Sequence, residues 1–202
     1  MKKYTLLGLA CFLFMSGCAY KPFFKPINGN MDVQEGASIA VICGIAEETN
    51  VKMASYISES LSEVSRFHVL SQKSIASKIK GYPVRIHGPY ADVYFEIETD
   101  FSKTDREKLS KIQKKLGVDY LYVIWAPFSE SINIETEIIH VVTQLFKAPG
   151  LEEVGQGRFY SFAQAGFSLR TKSPTSEKVD KGMRESCRYA AQELSQKTGM
   201  TK

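Results

Sequence analysis

Residues 104–126, TDREKLSKIQKKLGVDYLYVIWA, contain the transition that decides the fold. Leu109, Ile112 and Leu116 recur at the spacing of one helix face, and Gly117 follows as a typical helix end. The run YLYVIWA that comes next is apolar almost throughout, as expected of a strand covered on both faces. A helix that leads into a buried strand predicts an α/β domain whose sheet is flanked by helices.

The chain before this stretch repeats the pattern. Residues 38–43 form another apolar run and predict a buried strand. Met53, Ile57, Leu61 and Val64 recur at helical spacing after a cap at Thr49 or Asn50. A short strand at 67–70 and a short helix that ends at Gly81 follow. At the start of the central helix, Thr104 and Glu107 have the spacing of a capping box.

The chain after it predicts a hairpin and a closing helix. Residues 132–146 and 154–164 are long β segments joined by 147–150, and a last helix runs from Ser173-Pro174 to about Lys197. An additional hairpin is expected at about 84–98, with strands 84–87 and 93–97 around Gly88-Pro89. The predicted fold is therefore α/β, with a mixed sheet, an extra hairpin and a C-terminal helix.

The first seventeen residues predict an export signal. Lys2 and Lys3 precede an apolar run from Leu6 to Met15, which is too short for the roughly 20 residues of a membrane span. The run Met15-Ser16-Gly17-Cys18 resembles the bacterial lipobox, which implies cleavage at residue 17 and lipid attachment to Cys18 through fatty acyl chains such as palmitate. An ordinary signal peptide with a chance cysteine is the alternative.

The predicted domain organisation follows from this start. Residues 1–17 are a removable signal, 18–36 are a lipidated N-terminus and tether, and 37–202 are one α/β domain. Ala19 stands where an Asp would be the familiar inner-membrane retention signal, which favours an outer-membrane, periplasm-facing lipoprotein. Tyr20, Phe23 and Phe24, interleaved with lysines, are expected either at the headgroup level or in a plain flexible tether.

Charge and cysteines limit the partners and the chemistry. Loss of Lys2 and Lys3 lowers the formal charge from +4 to +2, so the sequence predicts no nucleic-acid partner. Cys43 and Cys187 remain after processing, either as two buried thiols or as a disulfide in an oxidising compartment. Metal-binding spacings such as CxxC and HExxH do not occur in the sequence, and no cofactor is expected.

Three stretches resemble a group of envelope proteins. They are Ile39-Ala40-Val41, the run from Leu61 to Leu70 containing Ser65-Arg66-Phe67-His68-Val69, and Leu116-Gly117-Val118-Asp119-Tyr120. The group includes the TolB N-terminal domain, the curli-secretion lipoprotein and the lipoprotein activators of penicillin-binding proteins. The resemblance implies their fold, a periplasmic setting and protein–protein binding. It implies no catalytic residues, because the group has none in common.

Catalytic candidates have weak patterns. Asp92, Glu96, Glu98 and Asp100 suggest a pair of acids for glycoside cleavage, but charged side chains on an exposed strand explain them better. Gly155-Gln156-Gly157 lacks the third glycine and the helix of a dinucleotide loop. His140 is expected to be a packed or surface residue. The sequence therefore predicts a protein that is not an enzyme.

The expected role is that of an accessory or adaptor lipoprotein for an envelope protein complex. Tyr82, His87, Tyr90 and Tyr94 are candidates for the partner surface, since tyrosine is common in interfaces. The opposing interpretation is that the tyrosines cover the core. Two alternative functions are a self-associating subunit of an outer-membrane export assembly and, less favoured, an envelope glycan hydrolase. The inserted hairpin is too short and too charged for a membrane pore.

Overall fold

Residues 23–27, 31, 33–93, 96–126, 138–162 and 176–202 are described by the structure, a computed structural model. The strands in these residues are β1 (Phe23–Pro26), β2 (Ser38–Cys43), β3 (His68–Leu70), β4 (Tyr90–Val93), β5 (Glu96–Thr99), β6 (Tyr120–Trp125), β7 (Ile138–Lys147) and β8 (Glu152–Phe162). The α-helices are α1 (Glu48–Val64), α2 (Gln72–Lys78), α3 (Arg106–Leu116) and α4 (Ser176–Lys197).

Six of the strands form one mixed sheet in the order β1-β8-β7-β6-β2-β3. β2 runs parallel to both β3 and β6, whereas the neighbouring pairs β6–β7, β7–β8 and β8–β1 are antiparallel. Within the described residues, β4 and β5 form a separate two-stranded antiparallel sheet. The mixed sheet flanked by helices, together with the closing helix, confirms the predicted fold class.

One face of the sheet packs against α1 and α4. Strand alternation sends Ile39 and Val41 of β2 and Tyr122 of β6 to this side, where they are buried. The helices contribute apolar side chains at helical spacing, among them Leu61 of α1 and Leu194 of α4. The shared core holds α1 and α4 side by side on the sheet.

The other face packs against α2 and α3. Ala40 and Ile42 of β2 and Trp125 of β6 point to this side and are fully buried. Ile75 of α2 and Leu109 of α3 cover them. The domain thus has three layers, helices on either side of a sheet, and β2 and β6 are buried on both faces as the apolar runs predicted.

Two helix caps differ from the prediction. Asp105, not Thr104, caps α3: its side chain accepts a hydrogen bond from the Lys108 amide at 2.9 Å. The Thr104 hydroxyl is committed to Gln144, 2.6 Å away. The predicted end of α3 is confirmed, because Gly117 adopts φ +66°, a conformation that other residues avoid.

The cap of α1 also differs, because Asn50 is used elsewhere. It lies inside the first turn of α1 and is fully buried. Its side-chain amide donates to the Ala126 carbonyl at 3.0 Å and accepts from the Ala126 amide at 2.9 Å. This pair of bonds attaches the start of α1 to the end of β6.

The two hairpins have different outcomes. β7 and β8 form the hairpin predicted from 147–150, while residues 132–137 and 163–175 lie outside the described residues. The additional hairpin exists, but its strands are Tyr90–Val93 and Glu96–Thr99 rather than 84–87 and 93–97. Residues 84–88 are not a strand, because the Ile86 amide donates to the Gly44 carbonyl and the His87 carbonyl accepts from Asp105.

The sheet begins inside the segment predicted as a tether. β1 pairs with β8 in the register Phe23 to Arg158 and Pro26 to Gly155. Phe24 is only 4% exposed, and its ring lies 6.3 Å from that of Tyr122. Phe24 is therefore a core residue and not one that rests among lipid headgroups.

Candidate functional site

Of the four candidates for the partner surface, Tyr82 faces inward. Its hydroxyl donates to Gln72 Oε1 at 3.1 Å and accepts from the Cys43 amide at 3.4 Å. Burial raises the pKa of the Tyr82 hydroxyl far above its usual value, and the nearby Cys43 adds to the effect. Tyr82 therefore covers the core, as the opposing interpretation of the tyrosines stated.

His87 is the one candidate of the four whose side chain the structure describes as exposed. It follows the buried Ile86 in the segment that leads to β4. Tyr90 begins β4, with its backbone opposite Thr99, while its side chain and the whole of Tyr94 lie outside the described residues. The described residues thus place His87 on the surface and do not bring the four candidates together.

Cys43 and Cys187 are both fully buried and carry free thiols. They belong to the same apolar core between the sheet and the α1–α4 layer. Burial raises the pKa of each thiol, which keeps both protonated and unreactive. In the structure, Cys43 and Cys187 are therefore packed as two separate thiols and do not form a disulfide.

One end of the main sheet gathers several chain segments, and we call it the carboxyl edge. β2 and β6 end there at Cys43 and Trp125, β8 ends there at Phe162, and β1 starts there at Phe23. The additional hairpin is attached at this end through hydrogen bonds of Ile86, whose carbonyl also accepts from Trp125 Nε1 at 3.3 Å. Cys18 lies outside the described residues, five positions before the first residue of β1.

A polar network that the sequence did not reveal lies on the α3 side of β7 and β8. Gln144 is fully buried; it accepts from Thr104 and donates to Glu153 Oε1 at 2.6 Å. Gln156 donates to the same oxygen at 2.9 Å, and Arg106 lies 3.7 Å from the other. The sequence feature that could have indicated this network is the glutamine at position 144, inside the otherwise apolar run of β7. The network fixes the start of α3 on the hairpin.

A cluster of charges connects α1 to α4. The Asp180 carboxylate accepts from the Tyr56 hydroxyl at 2.5 Å, pairs with Lys52 at 3.0 Å and accepts from Arg184 at 3.1 Å. The Arg184 guanidinium lies 3.9 Å from the centroid of the Tyr56 ring. The Tyr56 hydrogen bond, followed by those of the two basic residues, lowers the pKa of Asp180 to about 2.

Two of the catalytic candidates, Asp100 and Gly155, have structural roles in the described part of the chain. Asp100 caps the 3₁₀ turn Phe101–Lys103, and hydrogen bonds from the Ser102 hydroxyl and amide lower its pKa. Gly155 belongs to β8, and the ring of Phe24 covers it. The side chains of Asp92, Glu96, Glu98 and His140 lie outside the described residues.

The described part of the chain contains no group of three or more His, Cys, Asp or Glu side chains placed to hold a metal ion. Within the same residues, no helix combines the length and the apolar character that crossing a bilayer requires.

No family model matches the sequence, and no curated protein sequence does either. Several solved structures are weakly similar to this chain. The PelC dodecamer from Paraburkholderia phytofirmans is 9% identical, with a TM-score of 0.45 over 86% of this chain and 97% of that one. The lipoprotein GNA1162 from Neisseria meningitidis is 16% identical, with a TM-score of 0.43 over 68% and 88%.

A third likeness is to the hypothetical protein CT253 from Chlamydia trachomatis, 9% identical with a TM-score of 0.42 over 81% of this chain and 98% of that one. At such identities and scores these likenesses carry no argument about function. The structure itself shows an α/β domain whose carboxyl edge brings together the start of β1 and the additional hairpin.

Proposed function

We propose that this chain is a membrane-anchored lipoprotein of the bacterial envelope, held by lipid on Cys18 and facing the periplasm from the outer membrane. Its folded domain acts as a non-enzymatic accessory or adaptor for an envelope protein complex. The observation that carries the proposal is the short distance along the chain between the lipobox-like cysteine and the sheet. Only residues 19–22 separate Cys18 from the first residue of β1.

That spacing confines the domain to the membrane surface. Five peptide steps of an extended chain span at most roughly 17 Å, so β1 stays within that distance of the lipidated cysteine. A domain confined to one layer meets partners of the same layer at a high effective concentration, and a weak interface then suffices. An adaptor role matches this physical situation, because it needs proximity and no chemistry.

The way several polar side chains are engaged also supports a role without catalysis. Asn50 holds β6, Gln144 and Glu153 hold the start of α3, and the Asp119 carboxylate accepts from the Ser38 amide and hydroxyl at 2.8 and 2.7 Å. Each of these groups is committed to neighbouring backbone or side chains. Groups engaged in this way stabilise the fold and are not free to move protons for a substrate.

Metabolic labelling with a fatty-acid analogue tests the anchor. We expect label on the wild-type protein and its loss in Cys18→Ser. The matched control is Cys11→Ser, which changes a cysteine inside the predicted signal and should leave labelling intact. Labelling that survives in Cys18→Ser, or that is absent from the wild type, overturns the proposed anchor.

A photoreactive amino acid at His87 tests the adaptor role in cells. The exposed His87 lies beside the carboxyl edge, whereas the exposed Lys115 lies at the far end of α3 and serves as the control site. We expect one discrete cross-linked envelope protein from position 87 and none from position 115. An adduct between two copies of the chain would support the self-associating alternative, and no adduct at position 87 would overturn the adaptor role.

A further inference from the structure

The outer strands of the sheet leave one face open to solvent beside the start of the folded domain. Phe24 of β1 and Phe159 of β8 point into the core on the α1–α4 side. Strand alternation therefore sends Lys25 and Arg158 to the opposite side, where both are exposed. The apolar core under α2 and α3 draws on β2, β6 and Phe146 of β7 but on no residue of β1.

The same face contains apolar and aromatic groups. Ile27 follows Lys25 by two positions and is 42% exposed, one of two large apolar side chains so exposed among the described residues. Arg158 lies 5.9 Å from the centroid of the half-buried Phe101 ring. We call these residues, namely Lys25, Ile27, Phe101 and Arg158, the open face.

Among the described residues, the open face has an excess of positive charge. Lys103 lies 3.9 Å from Asp100, and Arg106 at the border of the face lies 3.7 Å from Glu153, so these four charges balance. Lys25 and Arg158 have no ion-pair partner within the described part of the chain. These two cations, an exposed aliphatic side chain and an aromatic ring are the combination suited to lipid headgroups, where phosphates meet the acyl region.

The position of the face agrees with that chemistry. Arg158 pairs directly with Phe23, the first residue of β1, so it lies next to the point where the chain leads back toward Cys18. Residues 19–22 are too few to let the domain turn its open face far from the bilayer. A second copy is a poorer occupant, since β1 has only four residues and contains Lys25 and Pro26, which discourage the addition of another strand.

We propose that the open face, formed by Lys25, Ile27, Phe101 and Arg158, rests on the membrane and binds lipid phosphates. This rests on the proposed lipid anchor and adds an orientation to it. With the open face on the lipid, α4 and the other side of the sheet point away from the bilayer. The membrane therefore acts as a second contact that fixes how the adaptor presents itself.

Depth-dependent fluorescence quenching tests the orientation. The lipidated full chain is reconstituted into vesicles of phosphatidylethanolamine and phosphatidylglycerol that contain a headgroup quencher. A fluorophore is attached at Ile27→Cys, or at Tyr189→Cys as the control on the exposed side of α4. Cys43 and Cys187 do not compete for the label, because burial shields both thiols.

We expect several-fold stronger quenching at position 27 than at position 189. Equal or reversed quenching in vesicle-bound protein overturns the open face while leaving the anchor intact. Protein that fails to float with the vesicles means instead that the anchor itself is wrong. If the fluorophore at position 27 becomes less accessible as the density of protein on the vesicle rises, without quenching by the lipid, a second copy of the chain covers the open face. That result also overturns the proposal.

A double charge-reversal variant tests the role of Lys25 and Arg158. In Lys25→Glu/Arg158→Glu we expect the difference in quenching between positions 27 and 189 to disappear. The matched control Lys115→Glu/Lys197→Glu makes the same charge change at exposed sites outside the open face and should keep the difference. All four positions are exposed, so the fold is retained, and circular dichroism checks this. A difference that survives in the first pair overturns the proposed phosphate contact.

Discussion

The ring of Phe24 packs directly over Gly155, in the space that a Cβ at position 155 would enter. This contact attaches the first strand of the domain to β8, a strand that lies much later in the sequence. Because Phe24 lies six residues after Cys18, the same contact determines how closely the folded domain follows the proposed lipid anchor.

Replacing Phe24 should therefore loosen the N-terminal strand. We expect Phe24→Ala to lower the free energy of unfolding by about 3 kcal/mol, because it leaves a cavity over Gly155. Gly155→Ala should cost about 1–3 kcal/mol, since the new methyl group displaces the ring. Urea unfolding of the lipid-free protein measures both. The control is the neighbouring Lys25→Ala, which changes an exposed residue and should alter the free energy of unfolding by no more than about 0.5 kcal/mol. An equally small change in Phe24→Ala would contradict the packing of the ring over Gly155.

Gly44 gives a second test, with its own optical signal. A side chain at position 44 would collide with the indole of Trp125, which is fully buried and is the single tryptophan of the sequence. We expect Gly44→Ala to shift the tryptophan emission to longer wavelength and to destabilise the fold by about 2 kcal/mol. Gly36→Ala is the control for added volume, because a Cβ there meets no atom within 4 Å, although its φ of +75° carries some strain. Unchanged emission in Gly44→Ala would contradict the contact.

The Asp180 cluster predicts a dependence of stability on pH. The pKa of Asp180 is lowered to about 2 in the folded state, from an ordinary value of 3.8. A carboxyl whose pKa is lowered by folding stabilises the folded state at every pH above its ordinary pKa. This contribution is lost as the pH falls from about 4 toward 2. Asp180→Asn should remove that part of the pH dependence and weaken the α1–α4 contact, because Lys52, Tyr56 and Arg184 lose their shared carboxylate.

Thermal unfolding followed between pH 2 and 6 measures the Asp180 effect. Glu177→Gln removes an exposed acid from the same helix and is the matched control. The control should follow the wild-type curve. A wild-type and an Asp180→Asn protein with parallel curves would show that the cluster contributes nothing in solution.

The proposed location predicts a change of membrane. If Cys18 is lipidated, Ala19→Asp places the familiar retention residue directly after it, and we expect the protein to move from the outer to the inner membrane. Ala19→Ser is the control and should leave the distribution unchanged. Density-gradient separation of the two membranes measures the result. Wild-type protein already in the inner membrane would contradict the predicted location.

The fold class was predictable because its signals are local. The apolar runs of β2 and β6, the helical spacing in α1 and α3, and the glycine at position 117 each depend on neighbours in sequence. These signals gave the mixed sheet and the closing helix. They also gave the hairpin of β7 and β8.

The parts that sequence reasoning misplaced depend on distant partners. β1 contains a lysine and a proline and has no alternation of its own, so only its pairing with β8 makes it a strand. Thr104 and Asn50 looked like helix caps, but Gln144 and Ala126 engage their side chains. The sequence could not show that the Tyr82 hydroxyl bonds to Gln72 and to the Cys43 amide, because both partners are distant in the chain. The open face was missed for the same reason, because it exists only once β1 is in the sheet.

The two enclosed thiols make the folded domain indifferent to the redox state of its surroundings. Neither sulfur has a disulfide partner in the structure, so formation of the fold requires no oxidation of these two thiols. The described domain therefore has the same covalent structure in a reducing and in an oxidising compartment.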